Sequence, residues 1–123
     1  MKLSAAEAIA RIEATYPELS ATLHDDVIDG LPHLQIAEWS RLAQRQIDTH
    51  DRPGFSKTCV LFLELWNHAK PAVVNALNVS FLEPLTVAKQ SWAYHQMPAQ
   101  MRTAYDDMSL YNRRMHGEQK GNE

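Results

Sequence analysis

The spacing of apolar residues near the start of the chain predicts two helices. Ser4 and Glu7 have the spacing of a capping box, in which each side chain accepts a hydrogen bond from a backbone N–H that the first helical turn leaves free. Apolar residues then recur every three or four positions, and the first helix is predicted over residues 4–15. A short second helix is predicted between Pro17 and Gly30, because proline suits a first turn and glycine suits the left-handed conformation that ends many helices.

Two amphipathic patterns in the middle of the chain predict longer helices. Over residues 33–50, the apolar residues fall within one arc and the charged residues fall opposite, which predicts a helix with one buried face. A turn is predicted over residues 51–54 from their proline and glycine. Over residues 55–69 the apolar arc widens to about 200°, which predicts a central helix packed on two sides. The two arcs contain Ile36, Trp39, Ala43 and Ile47 in the first helix, and Phe55, Cys59, Phe62, Leu63, Leu65, Trp66 and Ala69 in the second.

The segment between Pro71 and Pro84 is apolar on most sides. Its length favours a helix over a strand, and the helix is predicted over residues 71–83. On a helical wheel the only polar strip contains Asn75 and Asn78, with Leu82 beside them, and this strip is predicted to face outward. The predicted buried residues are Val73, Val74, Ala76, Leu77, Val79 and Phe81.

The rest of the chain predicts two more helices and a tail. A short helix is predicted over residues 86–95, with Trp92 as its main core anchor. Pro98 then opens a last helix, whose apolar stripe contains Met101, Ala104, Tyr105, Met108, Tyr111 and Met115. Residues 117–123 are predicted to be a flexible tail, which leaves a single helical domain over residues 1–116.

Together these patterns predict an all-α fold of about six helices, packed as antiparallel pairs in a HEAT-like helical bundle. No run of alternating apolar and polar residues remains to form a strand, and the connections are short. The pair formed by residues 55–69 and 71–83 has the length of one HEAT-like hairpin, although the sequence contains no repeat of fixed period.

Length and composition are those of an ordinary globular protein. The chain has 123 residues, of which 45% are hydrophobic and 22% charged, and this length is enough for one self-sufficient core. The only cysteine, Cys59, has no partner for a disulfide, and no segment approaches the roughly 18 consecutive apolar residues of a membrane span. We expect a cytoplasmic protein that does not associate with membranes.

Negative charge is concentrated in one part of the chain. Residues 18–51 contain seven acidic residues against two arginines, whereas the whole chain has a net charge of only -3. Three of these acids, Asp25, Asp26 and Asp29, lie at the end of the second predicted helix, where the helix dipole disfavours them; a feature that costs stability points to binding. Such a segment repels nucleic acid and attracts basic protein surfaces. The alternative interpretation is a solvated face that maintains solubility.

The sequence contains no recognisable catalytic or metal-binding motif. It lacks an HExxH motif, a Cys/His cluster, a glycine-rich phosphate loop and a GxSxG nucleophile motif. Glu64 and His68 have the spacing of an exposed pair one helical turn apart. Cys59 lies on an apolar arc, where a thiol is buried and unreactive. We therefore predict no catalytic activity, no bound metal and no cofactor.

Three segments resemble the small all-helical immunity proteins of bacterial polymorphic toxin systems, which include contact-dependent inhibition, Rhs and type VI effectors. These segments are LPHLQIAEW (31–39), FLELW (62–66) and NALNVSFLEPL (75–85). The similarity covers about half of the chain, residues 16–85, and consists mainly of packing patterns. For the matching residues Ser80 and Glu83 we expect a structural role, in which Glu83 fixes the turn that follows it.

The resemblance implies that the protein binds a cognate toxin and occludes its active site, without doing chemistry itself. Toxins that act on nucleic acid tend to present basic clefts, which the acidic segment would match. The residues then expected at the interface are Asp25, Asp26, Asp29, His33, Glu38 and Asp48. Neither nucleic acid nor membrane is an expected partner.

A second hypothesis is a HEAT-like adaptor or regulatory module that recognises a helix or peptide of another protein. Asn75 and Asn78 would then belong to the binding surface, because they form an outward-facing strip on an otherwise apolar helix. Like the immunity hypothesis, it requires no catalytic residues.

Overall fold

The computed structural model describes the backbone of residues 1–121 and the side chains of residues 1–110. Residues 1–121 contain no strand, which confirms the predicted all-α fold of about six helices. None of the helices in this part of the chain combines the length and the apolar character that a bilayer crossing needs. The elements are α1 (Ala5–Thr15), a 3₁₀ turn (Pro17–Leu19), α2 (Ser20–Leu23), α3 (Pro32–Asp48), α4 (Arg52–His68), α5 (Pro71–Ala76), a π-helix (Leu77–Leu82), α6 (Trp92–Gln96) and α7 (Ala99–Gly121).

The capping box predicted at the start of α1 is confirmed. Ser4 N donates to Glu7 Oε1 (3.0 Å), and Glu7 N donates to Ser4 Oγ (3.2 Å). Just before this cap, Leu3 pairs in parallel with the residues that join α4 to α5. Leu3 N donates to His68 O (2.8 Å), and Lys70 N donates to Leu3 O (2.9 Å). The first residues are thereby attached to the middle of the chain.

Helices α3 and α4 supply the centre of the core, as their apolar arcs predict. The ring centroids of Trp39 and Phe81 lie 4.2 Å apart, and those of Phe62 and Phe81 lie 5.4 Å apart. Burial of these rings contributes strongly to stability, because each removes a large apolar area from water. The residues of the two predicted arcs are buried except Leu63 and Trp66, which are partly exposed.

The sequence predicts a separate turn over residues 51–54. In the structure these residues form the cap and first turn of α4 instead. The Asp51 carboxylate accepts a hydrogen bond from Gly54 N (3.0 Å). Pro53 lies in the first turn, where its missing N–H has no intrahelical partner to lose. Proline and glycine are compatible with both structures, so their presence alone did not distinguish a turn from a helix start.

The helix predicted over residues 71–83 begins as expected and then widens into the π-helix. A π-helix has hydrogen bonds from residue i to i+5, so each turn holds more residues than in an α-helix and the side chains shift around the axis. The shift brings Leu82 into the core with Ser80 and Phe81, whereas Val79, one turn after the exposed Asn75, is 44% exposed. The predicted outward position of Leu82 and inward position of Val79 are therefore wrong.

The helix predicted over residues 86–95 is mostly irregular, and only Trp92–Gln96 is helical. Trp92 lies half-buried at the edge of the core and not at its centre, with its ring edge-to-face against Phe55. The irregular residues are held by α7, because the Tyr105 hydroxyl accepts a hydrogen bond from Val87 N (3.0 Å).

The last helix packs through the stripe that the sequence predicts. Met101 and Ala104 are buried, and Tyr105 and Met108 are partly buried against the core. The side chains of Tyr111 and Met115 lie outside the described residues. The backbone of α7 continues to Gly121, residues 122–123 lie outside the described part, and the predicted flexibility of residues 117–123 stays a prediction.

Candidate partner-binding surface

The segment between α2 and α3 carries half of the residues predicted to bind a partner. Helix α2 ends at Leu23. The turns that follow it contain Asp25, Asp26 and Asp29, which the sequence had placed in the last turn of a helix. The Asp25 carboxylate accepts a hydrogen bond from Val27 N (2.9 Å), a local bond that competes with helix continuation. The helix dipole therefore gives these carboxylates no special cost, and it lends no support to a binding role.

Two of the predicted residues, Asp25 and Glu38, lie close together beside this segment. They line one surface cavity of about 460 Å³, together with Ala21, Thr22, Val27 and Ile28. Glu38 is also ion-paired with Arg41, which lies one turn further along α3. Asp26 follows Asp25 in the chain and is exposed. Asp25 and Glu38 are therefore the predicted residues that the structure brings together here, and Asp26 lies next to them through its place in the chain.

Two other predicted residues lie elsewhere on α3. His33 Nδ1 is 3.0 Å from Ser80 Oγ, a contact that ties the start of α3 to the π-helix. Asp48 is at the far end of α3, about 15 Å from Glu38 along the helix axis. Its carboxylate accepts a hydrogen bond from the Gln44 side chain (3.0 Å). The six predicted residues therefore do not form one continuous surface.

Ser80 has the structural contact expected of it, whereas Glu83 has none among the described side chains. Ser80 is buried against His33, in agreement with a structural role. Glu83 is exposed, and its carboxylate has no hydrogen-bond or ion-pair partner among residues 1–110. The following residues are held by Gln44 instead, whose Oε1 accepts from Thr86 N (2.8 Å) and whose Nε2 donates to Thr86 O (3.2 Å). The turn itself is closed by the backbone hydrogen bond from Leu85 N to Leu82 O (3.1 Å), and Gln44 holds the residue just beyond it.

Exposed apolar side chains adjoin the acidic ones. Val27 is 76% exposed, Leu31 49% and Leu34 46%. Val27 lines the cavity shared by Asp25 and Glu38, and Leu34 lies one helical turn before Glu38. Leu34 falls on the charged side of the α3 wheel, so the sequence itself marks it as an apolar residue that faces outward. We call the following residues the outer face: Asp25, Asp26, Val27, Leu31, Leu34 and Glu38.

A second cavity, of about 350 Å³, lies between α1 and the residues that lead into α3. We call it the inner cavity. One wall consists of small and apolar residues of α1. Gly30 adopts a φ of +78°, in the left-handed region that favours glycine, and so directs the chain past the cavity. The lining residues are Ala5, Ala6, Ile9, Ala10, Glu13, His24, Asp29, Gly30, Pro32 and Gln35.

Glu13, His24 and Asp29 form a hydrogen-bonded cluster in this lining. His24 Nδ1 is 2.8 Å from Asp29 Oδ1, and His24 Nε2 is 2.9 Å from Glu13 Oε1. Carboxylates only accept hydrogen bonds, so both contacts are satisfied when His24 is the imidazolium with two N–H donors. The bond to Asp29, and then the bond to Glu13, raises the pKa of His24. Hydrogen bonds from Ser20 and then His24 lower the pKa of Glu13.

This cluster was not predicted from the sequence. Its members are 11 and 5 positions apart, and they meet only because the turns after α2 bring the chain back to α1. Neither spacing is that of a helix face or a known motif. Over the residues with described side chains, no group of three or more histidine, cysteine, aspartate or glutamate residues is arranged to hold a metal ion.

The two other groups singled out by the sequence lie in structural surroundings. Cys59 is buried, and burial raises the pKa of its thiol to about 12, so the thiol stays protonated at neutral pH. Glu64 forms an ion pair with Arg11 of α1 instead of pairing with His68 within α4. That ion pair joins two helices.

The fold and these two surfaces define a small all-α protein whose acidic and exposed apolar residues meet around the segment between α2 and α3. A family model described as "Domain of unknown function (DUF7674)" matches residues 9–113, and the chain belongs to this family. No curated protein and no solved structure matches the chain. The match includes every residue of the outer face and most of the inner cavity.

Proposed function

We propose that the chain is an immunity protein that binds a cognate bacterial toxin in the cytoplasm and covers its active site, without catalysing a reaction. The outer face carries this proposal, because exposed apolar side chains adjoin acidic ones there. Covering apolar groups supplies binding energy, while charges around them steer the partner and set specificity. The resemblance of residues 16–85 to immunity proteins supports a toxin as the partner.

The outer face fits a partner that has a basic surface around an apolar anchor. Val27, Leu31 and Leu34 offer apolar area that is exposed in the isolated chain. Asp25 and Asp26 are exposed and attract lysine and arginine over a distance of several ångströms, in a way that salt weakens. An enzyme that acts on nucleic acid needs basic residues to hold phosphates. We therefore propose that the toxin is directed at nucleic acid.

The experiment that tests this function has two stages. The protein is first used as bait in lysate of its native host, at low and at high salt, and captured proteins are identified by mass spectrometry. Each captured protein is then produced alone and together with this chain in a bacterial host, and growth is measured. We expect one captured domain that arrests growth alone, loses this effect on co-production, and is captured less well at high salt. Capture of non-toxic proteins only, or of a toxin that this chain does not neutralise, contradicts the proposal.

Matched substitutions locate the binding surface. We expect Leu34→Ala to weaken capture and neutralisation, and Val60→Ala, at a 66% exposed valine of α4 outside the outer face, to leave both unchanged. Asp25→Asn combined with Asp26→Asn should make capture of the partner less dependent on salt. Asp107→Asn, at an exposed aspartate of α7, should leave the salt dependence of capture unchanged. If Val60→Ala and Asp107→Asn changed capture as much as the outer-face variants do, the interface would lie elsewhere.

A HEAT-like adaptor is the second candidate, and an exposed strip on α5 and the π-helix favours it. Asn75 is exposed, Asn78 is half-buried, and Val79 is 44% exposed. Such a strip offers both amide groups and an apolar side chain to a helix or peptide. An adaptor would capture a non-toxic protein, and Asn75→Ala would weaken that capture while Leu34→Ala would not.

A further inference from the structure

The inner cavity combines an apolar wall with acidic acceptors. The wall from α1 consists of Ala5, Ala6, Ile9 and Ala10, whose side chains offer only carbon atoms. Glu13 and Asp29 line the same cavity and are each partly exposed, at 32% and 56% of their side-chain area. A ligand that suits both parts has an aliphatic stem and a cationic end.

A buried amide supplies one more acceptor. Gln35 is only 3% exposed and lines the inner cavity. Its Nε2 donates to Leu23 O (2.8 Å), whereas its Oε1 accepts no hydrogen bond from any of residues 1–110. This oxygen is not one of the fully buried side-chain atoms that lack a partner, so it is open to the cavity and can accept a hydrogen bond from an N–H group of a ligand.

We propose that the inner cavity binds an arginine side chain of the partner protein. The methylene stem lies against the alanines of α1, and the guanidinium donates to Glu13, Asp29 and Gln35. A guanidinium has five N–H donors in a planar fork and is weakly hydrated, so it suits several separate acceptors better than the compact, strongly hydrated ammonium of lysine. This proposal deepens the proposed function and rests on it for the source of the arginine, whereas the site itself can be tested without the partner.

His24 makes arginine binding depend on pH. Its imidazolium donates to Glu13 of α1 and to Asp29, the two charged groups it contacts within the described residues. It therefore occupies the same carboxylates that the guanidinium needs. When His24 loses its proton, the positive charge between the two carboxylates disappears and one N–H donor is withdrawn. Arginine therefore binds more tightly as the pH rises, and its binding releases a proton.

The test uses N-acetyl-arginine methylamide as the probe and the citrulline analogue, which has the same shape without the charge, as its control. Both are titrated into the ¹⁵N-labelled full chain, and amide chemical shifts are followed by NMR at about pH 5.5 and about pH 8, on either side of the ordinary histidine pKa. We expect the arginine probe to shift the amides of Ala6, Ala10 and Gly30, more strongly at the higher pH. The citrulline analogue should bind roughly tenfold more weakly or worse, since the charge-assisted hydrogen bonds are lost.

Two variants of α1 separate filling of the cavity from a general effect on the fold. Ala6→Leu places a larger side chain on the apolar wall and should abolish the shifts, whereas Ala14→Leu, at an exposed position of α1 outside the lining, should preserve them. Glu13→Gln should weaken arginine binding and bring it close to that of citrulline. The proposal is overturned if both probes bind equally, if Ala6→Leu binds as well as the wild type, or if no shift occurs up to the solubility limit of the probe.

The two proposals fail independently. If the chain neutralises a toxin but the arginine probe does not bind, only the inner-cavity site is wrong. If the probe binds with the expected dependence on charge and pH but no toxin is captured, the arginine site stands and the immunity function falls.

Discussion

His24 contacts two carboxylates from different parts of the chain, Glu13 of α1 and Asp29 before α3. Each ring nitrogen needs a proton to donate, so the link between the two parts is complete only when His24 is charged and both carboxylates are ionised. The cluster is therefore a local source of pH-dependent stability, with one pH limit set by the His24 imidazole and another set by the Glu13 carboxylate.

We expect the stability difference between the wild type and His24→Gln to be largest in weakly acidic solution. The pKa of His24 is raised, so its contribution is complete below the ordinary value of 6.5 and is lost as the pH rises through the folded-state pKa. The pKa of Glu13 is lowered, so its contribution is present above the ordinary value of 4.5 and is lost as the pH falls through the folded-state pKa. Thermal unfolding of both proteins across this range measures the difference, and a difference that does not change with pH would refute the linkage.

Single residues were predictable where both partners are close in the sequence. The capping box of Ser4 and Glu7 follows from a spacing of three, and the structure has both of its hydrogen bonds. The contact between His33 and Ser80 spans 47 positions and depends on how α3 lies against the π-helix, which no local pattern specifies. Polar contacts of this second kind determine the candidate site, so most of its geometry was not predictable.

At the scale of the elements, helical periodicity succeeded wherever the helix kept its ordinary pitch. The buried faces of α3 and α4 follow the period of 3.6 residues and were predicted almost completely. The π-helix breaks that period, and Ser40 contributes to its position by donating a hydrogen bond to Phe81 O (2.8 Å). This contact joins residues 41 positions apart, so it is not visible in the sequence of the segment itself.

The π-helix leads to a clear ranking of two substitutions. Leu82 is fully buried, so Leu82→Ala should lower the free energy of unfolding by about 2–5 kcal/mol through lost burial and a cavity. Val79 is 44% exposed, so Val79→Ala should cost well under about 1 kcal/mol. Urea denaturation followed by circular dichroism measures both values. A regular α-helix would place Leu82 on the outward strip beside Asn75 and Asn78, and Leu82→Ala would then cost about as little as Val79→Ala.

At the scale of the molecule, the sequence indicated the fold class but not how the acidic residues are arranged on the surface. The all-α fold follows from periodicity, and the concentration of acids in residues 18–51 was evident from counting. The sequence did not show that the length of α3 separates Asp48 from Glu38, or that the turns after α2 present Asp25 and Asp29 to different surroundings. One acidic segment thus contributes to two surfaces, the outer face and the inner cavity.

If the partner is a basic toxin domain, charge and apolar contact should affect different rate constants. Asp25→Asn combined with Asp26→Asn should lower the association rate constant and its dependence on salt, because these exposed charges act at a distance. Leu34→Ala should mainly raise the dissociation rate constant, because its side chain acts only after contact. Surface plasmon resonance at several salt concentrations separates the two. The interface does not include the outer face if both variants leave both rate constants unchanged.

The pairing of Leu3 with the residues between α4 and α5 also affects how the molecule opens. Leu3 N donates to His68 O, and Lys70 N donates to Leu3 O, so these two amide protons are protected by the same short contact. In hydrogen–deuterium exchange, an opening of this contact exposes both amides at once, even though α1, α3 and α4 lie between them in the chain. The amide of Leu3 thereby shares the exchange behaviour of residues in the middle of the chain.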